Sequence, residues 1–207
     1  MILHTIPAGM NQTNCYLVGC EETYRGAVID PGGEGQRIVR EIERSGLDIQ
    51  AVLITHAHFD HIGGISEVID ATGASLALHP NERPVLDAGG GAAMFGLPTK
   101  PCPAPDIELA PGQTIVVGTL NFEVLFTPGH SPGGVTFYEA AEGVAFDGDL
   151  LFASGIGRTD LFGGDWDTLM HSIKAVLFAL PDDTVIYPGH GPKTTVGREK
   201  RTNPWIR

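Results

Sequence analysis

The sequence predicts an α+β protein in which two sheets pack face to face and helices cover their outer sides. The first half alternates strand-like apolar runs with segments of helical spacing. The second half holds short strand-like runs separated by Gly and Pro, as in hairpins. The chain has 207 residues, close to the usual size of one domain. We therefore expect residues 1–207 to form a single domain.

In the first half, the helix predicted from Glu34 to Arg44 places Ile38, Val39 and Ile42 on one face, and Gly46 ends it. The apolar run Ala51–Thr55 predicts a buried strand. The other elements expected here are strands at Met1–Ile6, Asn14–Val18, Gly26–Ile29 and Ser75–Leu78, and a helix at Ile62–Ala71.

In the second half, the Gly-rich stretch Asp87–Gly96 and the four prolines within Pro98–Pro105 predict an irregular excursion beside a site. Asp165–Leu180 has the clearest helical spacing. The remaining expectations are a short helix from Val196 and strands at Thr114–Val117, Leu120–Phe126, Gly134–Tyr138, Val144–Phe146 and Thr184–Tyr187.

The charge balance limits the partners. The net charge is −12, which disfavours nucleic acids and anionic membrane surfaces. A bound metal could supply the positive charge that an anionic small-molecule substrate needs. Three cysteines without a CxxC motif do not form a disulfide framework, and Met1–Met10 lacks the basic region of a secretion signal. We therefore expect a cytoplasmic protein with a small-molecule substrate.

The most informative motif follows the predicted strand Ala51–Thr55. It reads T-H-A-H-F-D-H-I-G-G and contains His56, His58, Asp60 and His61. His56 and His58 point the same way in an extended segment, so both can bind one ion. Asp60 and His61 lie where the chain turns into the next helix, so they can face a second ion.

Three further ligand candidates occupy Gly-bearing turns after apolar runs: His130 in T-P-G-H, Asp149 in F-D-G-D and His190 in Y-P-G-H. Five histidines and two aspartates can hold two ions if one carboxylate bridges them. Imidazole and carboxylate suit Zn, Fe or Mn. We expect two divalent ions, with Zn the first choice, and a metal-bridging hydroxide as nucleophile.

The sequence resembles the metallo-β-lactamase-fold hydrolases in these stretches and in I-D-P-G-G, G-I-G-R-T-D and the terminal R-T-N-P. Within that group it resembles the glyoxalase II branch, in the short form without a helical C-terminal domain. The resemblance implies a four-layer αββα sandwich with a metal site at one edge of the sheets. It also implies a ligand set in which Asp149 bridges the two ions. The first ion would be held by His56, His58 and His130, and the second by Asp60, His61 and His190.

The resemblance further implies hydrolysis of a glutathione-type thioester. Asp60 would bind the second ion and orient the nucleophile. Arg158 would contact a glutathione carboxylate, with a structural ion pair as the alternative. Asp160 and Pro192 stand where the family has tyrosines that contact the substrate.

Other functions stay open. A mononuclear-iron persulfide dioxygenase on this fold would use only His56, His130 and Asp149. A lactonase and a non-catalytic metal-binding module are further alternatives, whereas antibiotic hydrolysis is disfavoured because no export signal is visible. Asp147 is interpreted either as an acid supporting the metal ligands or as a solvated turn residue. Asp30 is expected either to orient a histidine or to cap the D-P-G-G turn.

Overall fold

The computed structural model describes residues 1–99 and 101–206. Its first sheet runs β1 to β6 in chain order; β1, β2 and β3 are antiparallel neighbours, and β3 to β6 are parallel. Its strands are β1 Ile2–Ala8, β2 Thr13–Gly19, β3 Arg25–Ile29, β4 Asp48–Leu53, β5 Ser75–Leu78 and β6 Ile107–Glu108.

The second sheet has the order β14-β13-β10-β9-β8-β7, and β10 with β13 is its parallel pair. A small hairpin, β11 with β12, follows β10. The strands are β7 Thr114–Val117, β8 Leu120–Phe126, β9 Val135–Glu139, β10 Val144–Gly148, β11 Leu151–Phe152, β12 Gly155–Ile156, β13 Val185–Pro188 and β14 Thr194–Thr195.

Helices lie outside the sheets. They are α1 Gly35–Ser45, α2 Phe59–Ile62, α3 Ile65–Thr72, α4 Arg83–Asp87, α5 Trp166–His171 and α6 Val196–Thr202. Short 3-10 turns cover Pro80–Glu82 and Gly89–Phe95. No helix in the described ranges is long and apolar enough to cross a membrane.

Alternation along β3 shows how the layers form. Val28 packs against Ile38 of α1 and Ile65 of α3 on the outer face of the first sheet. Its neighbour Ile29 points the other way, into a core between the two sheets that includes Phe146. A third core joins the second sheet to α5 and α6. The αββα sandwich expected from the sequence is confirmed.

Two helices differ from their predicted extents. The helix expected at Ile62–Ala71 is divided into α2 and α3, because the backbone at Gly63 and Gly64 lies against the loop after β3. A Cβ at Gly63 would stand 2.7 Å from the Gly32 carbonyl oxygen. The helix expected at Asp165–Leu180 begins as α5, then widens into a π-helix and tightens into a 3-10 turn.

Candidate metal centre

The first group of ligand candidates converges from two loops. His56 and His58 lie on the extended segment between β4 and α2, and His130 lies on the loop between β8 and β9. The three rings stand 4.6–4.8 Å apart between centroids and are nearly perpendicular to one another. His58 Nδ1 is 2.8 Å from His130 Nε2. Their ring nitrogens therefore face one common point.

The second group lies beside the first. Asp60 and His61 are on α2, and His190 is on the loop between β13 and β14. His190 Nε2 is 3.3 Å from Asp60 Oδ2. Candidate donor atoms of all three residues lie within 4.8 Å of one another, as they do in the first group. Each group is thus a candidate metal site, and Asp30, His56 and His61 form a third cluster that meets the same distance criterion.

Asp149 stands between the groups. It follows β10 directly, after a left-handed turn at Gly148 (φ 56°). Its Oδ1 is 3.4 Å from His61 Nε2. Its Oδ2 is 3.5 Å from His190 Nε2 and 3.7 Å from His130 Nε2. A carboxylate in this position can reach an ion in either group.

Buried ligand atoms without a normal hydrogen bond indicate that these residues fit metal ions. His56 Nε2 is buried and has no hydrogen-bond partner, a state that costs roughly 1–3 kcal/mol. His61 Nε2 and Asp149 Oδ1 make no hydrogen bond of normal geometry and face only each other, at 3.4 Å. Imidazole and carboxylate donors suit divalent transition metals. The clusters therefore support the use of divalent metals by this fold.

The histidines of the first group are held neutral, whereas neighbouring carboxylates raise the pKa of His61 and of His190 in the second group despite their burial. Burial, followed by the nearby histidines, lowers the pKa of His58 to about 3 and that of His56 well below its usual range. Both rings are therefore neutral at physiological pH, as metal ligands must be. Burial alone would raise the pKa of Asp149, but His61, His130 and His190 hold it below its usual range. Asp149 therefore stays a carboxylate.

Asp30 supports the second group. It accepts hydrogen bonds from Thr55 N at 2.8 Å and Thr55 Oγ1 at 2.6 Å. Its Oδ2 lies 2.9 Å from His61 Nδ1. A hydrogen bond at Nδ1 leaves Nε2 of His61 for a metal, which is how carboxylates commonly orient histidine ligands. Of the two interpretations of Asp30, the structure therefore agrees with the one in which its carboxylate orients a histidine, His61.

Glu82 is a supporting residue that the sequence patterns did not reveal. Its carboxylate is fully buried and accepts hydrogen bonds from Ala57 N at 2.7 Å and Gly133 N at 2.6 Å. Ala57 lies between His56 and His58, and Gly133 lies on the loop of His130. One carboxylate therefore joins the two loops of the first group. Glu82 belongs to no recognisable sequence motif, and its hydrogen-bond partners are 25 and 51 residues away. The sequence alone therefore gave no signal for it.

Asn11 and Thr13 were also missed. Asn11 Nδ2 donates to Asp60 Oδ2 at 2.9 Å, and Thr13 Oγ1 donates to the same oxygen at 3.3 Å. Asn11 lies in the turn before β2 and Thr13 begins that strand, far from the motif in sequence. They fix the orientation of the Asp60 carboxylate.

Arg158 forms an ion pair with Asp160, and Asp147 is a buried carboxylic acid. The Arg158 guanidinium donates to both oxygens of Asp160, at 2.6 and 2.7 Å, while its carbonyl lies 2.8 Å from His130 Nδ1. Asp147 is buried, and its Oδ2 accepts a hydrogen bond from Leu151 N at 3.2 Å. The interpretation of Asp147 as a solvated turn residue is therefore wrong.

A cavity of about 660 Å³ opens over this centre. Both ligand groups contribute to its floor, with His58, Asp60, His130, Asp149 and His190. The Gly-rich segment that the sequence predicted beside a site forms part of its wall.

Comparison with known proteins assigns the family. The family model "Metallo-beta-lactamase superfamily" matches residues 8–190. The chain belongs to this superfamily. Among its metallo-β-lactamase relatives are the probable metallo-hydrolase YqgX of Bacillus subtilis, 41% identical over 97% of this chain and 95% of the relative, and the hydroxyacylglutathione hydrolase GloC of Haemophilus influenzae, 39% identical over 100% and 98%.

Solved metallo-β-lactamase-fold structures agree closely. BLEG-1 B3 metallo-beta-lactamase has a TM-score of 0.94 at 39% identity, covering 99% of both chains. TTHA1623 in a di-iron-bound form scores 0.89 at 40% identity, covering 98% of this chain and 99% of that one. ETHE1 from Myxococcus xanthus scores 0.84 at 31% identity, covering 99% and 84%. These similar proteins carry different functional names. The comparisons therefore assign the chain to the metallo-hydrolase fold and do not assign a substrate.

Proposed function

We propose that this protein is a metal-dependent thioester hydrolase of the glyoxalase II-like branch. The observation that carries the proposal is the pair of ligand groups joined by Asp149. The proposed ligands are His56, His58 and His130 for one ion, Asp60, His61 and His190 for the other, and Asp149 for both. Zn is the first candidate, although a similar solved structure contains two irons. A small-molecule substrate and a cytoplasmic location belong to the same proposal.

The chain's own residues would then have distinct tasks. Two divalent ions would supply a hydroxide at neutral pH and polarise the thioester carbonyl. Asp60 would bind with the oxygen that Asn11 and Thr13 hold, and its other oxygen would orient the attacking nucleophile. Asp30 would keep His61 in the correct tautomer.

Glutathione is the proposed thiol carrier, and the name of the GloC relative supports it. Arg158 lies at the cavity wall and is the proposed contact for a glutathione carboxylate. If that contact forms, Arg158→Ala raises KM for glutathione thioesters and leaves kcat nearly unchanged, as expected for loss of uniform binding. If Arg158 serves only its ion pair with Asp160, KM stays at the wild-type value. Steady-state kinetics of both proteins measures the difference.

A mononuclear-iron persulfide dioxygenase is the second candidate, and the similarity to ETHE1 favours it. It would need only His56, His130 and Asp149, which gives Asp60 and His190 no metal to bind. Their convergence with His61 favours the dinuclear hydrolase. A lactonase would use the same two ions and differs only in its substrate.

Metal analysis combined with two assays tests the proposal. We expect two transition-metal ions per chain in fully active protein, lost together with thioester hydrolysis on strong chelation. One tightly bound iron with oxygen consumption on glutathione persulfide would replace the proposal with the dioxygenase. Two ions with lactone but no thioester hydrolysis would identify the lactonase.

A further inference from the structure

The walls of the cavity are more apolar than its floor. Four large apolar side chains at its mouth are well exposed: Met10 (73%), Met94 (71%), Phe95 (50%) and Phe162 (70%). Among the described residues, these are half of the eight exposed large hydrophobics. Such side chains gathered around one opening, rather than scattered, indicate a binding surface.

The apolar wall of the cavity lies against α2, which carries Asp60 and His61. Left-handed glycines at 89, 90 and 91 (φ 65–77°) fold the Gly89–Phe95 segment back over α2. A Cβ at Gly90 would collide with the backbone of Phe59. The rings of Phe59 and Phe95 lie 5.4 Å apart between centroids. The apolar wall therefore begins directly beside Asp60.

Little of the cavity wall is charged. Arg158 is the one Lys or Arg among the described residues that line the cavity, and both of its hydrogen bonds to Asp160 are short. The acidic residues on the floor are the proposed metal ligands. The remaining wall offers mainly carbon and sulfur to a ligand, so burial of apolar surface is its main source of affinity.

We propose that the substrate's acyl group is an aliphatic chain that lies along this wall. The inference rests on the proposed thioester hydrolysis. The thiol carriers of thioesters, glutathione among them, are polar, so the apolar part of the substrate is its acyl chain. Its carbonyl would lie over the metal ligands while the chain extends past Phe59 and Phe95 toward Met94 and Phe162. A cavity of about 660 Å³ lies within the usual range for small-molecule sites.

Chain-length dependence tests this inference. With zinc-loaded protein and S-acyl N-acetylcysteamine thioesters from acetyl to octanoyl, kcat/KM should rise roughly two- to fourfold per methylene. The double variant Met94→Ser/Phe162→Ser should reduce the octanoyl-to-acetyl ratio of kcat/KM at least tenfold. The control Val116→Ser alters an equally exposed apolar residue on β7, outside the cavity, and should keep the wild-type ratio. A flat profile in the wild type would overturn the inference.

Binding separates this inference from the hydrolase proposal. Non-hydrolysable S-alkyl N-acetylcysteamine thioethers, titrated calorimetrically, should bind more tightly with each methylene and with an increasingly negative heat-capacity change. If they do so and no thioester is hydrolysed, the hydrolase proposal fails and an apolar-ligand site stands in its place. If thioesters are hydrolysed and affinity is independent of chain length, the hydrolase stands and the apolar acyl group is rejected. If the apolar mouth instead pairs two copies of this chain, wild type would sediment as a dimer that the double variant dissociates.

Discussion

At the scale of single residues, the ligand candidates were predictable because each is a His or Asp at the end of an apolar run. The supporting residues were not. Glu82 accepts hydrogen bonds from amides 25 and 51 residues away, and Asn11 donates to Asp60 from the turn between β1 and β2. Glutamates and asparagines are common on surfaces, so only the folded contacts distinguish these two.

Asp60→Asn tests the nucleophile-orienting role. We expect kcat for thioester hydrolysis to fall by about 100-fold or more, because the variant damages the second ion site and loses a carboxylate oxygen beside the nucleophile. Metal content should fall toward one ion per chain while the fold is retained. Asp70→Asn, on the exposed face of α3, is the control and should behave as wild type. Near-normal kcat in Asp60→Asn would favour the mononuclear iron alternative.

Glu82→Gln tests the junction between the two histidine loops. The neutral amide can accept only one of the two backbone hydrogen bonds, so the free energy of unfolding should fall by about 1–3 kcal/mol, and metal affinity should fall with it. The matched control is Glu139→Gln, a buried glutamate at the far end of β9 that accepts hydrogen bonds from Asn121 N and Glu142 N. Urea unfolding and zinc titration of both variants check this. A zinc affinity lowered equally in both would assign Glu82 a purely structural role.

At the scale of elements, periodicity located the helices and strands and failed where tertiary contacts change the backbone. Leu169, Ile173 and Leu177 share one buried face, as the helical spacing of Asp165–Leu180 implies. The helix nevertheless changes its hydrogen-bond pattern at Ser172, whose Oγ donates to the Pro128 carbonyl at 2.6 Å. That contact ties the helix to the loop of His130, and no local pattern signals it.

The start of α5 has a specific cap. Asp165 Oδ1 accepts a hydrogen bond from Thr168 N at 2.8 Å, and Asp165 N donates to the Gly129 carbonyl at 2.8 Å. Asp165→Ala should lower the free energy of unfolding, as measured in urea, because it removes the side chain that caps the first turn. Asp167→Ala, an exposed acidic residue in the same first turn, should cost clearly less. Equal losses would mean that helix charge, rather than the cap, stabilises this end.

At the scale of the whole molecule, the α+β fold class and the division of the chain into two halves could be predicted from the sequence. The order of the strands within each sheet could not. The parallel pair β10 and β13 joins strands separated by the hairpin β11–β12 and by α5, and two-residue strands such as β6 carry too few residues for a pattern. Both ligand groups draw on loops from both sheets. Metal binding should therefore hold the two sheets together.

Removing the metals should destabilise the whole chain. An ion present at about 1,000 times its dissociation constant stabilises the native state by roughly 4 kcal/mol, so chelation should lower the urea midpoint strongly in one cooperative transition. His190→Ala, which removes a proposed ligand of the second ion only, should show a smaller metal-dependent shift. A midpoint unaffected by chelation in protein shown to have lost its ions would contradict the coupling.

The origin of the ligands also sets the order of events during maturation. His130 completes the group that begins at His56, and His190 completes the group that begins at Asp60; both completing residues belong to the second sheet. A nascent chain with only its first sheet therefore offers two open, partial sites of low affinity. If the proposed ligands bind the ions, full coordination arises only after the sheets dock, so metallation should follow folding. The ion that a cell's protein carries is then selected by the finished pocket and the metals available to it, not by those met during translation.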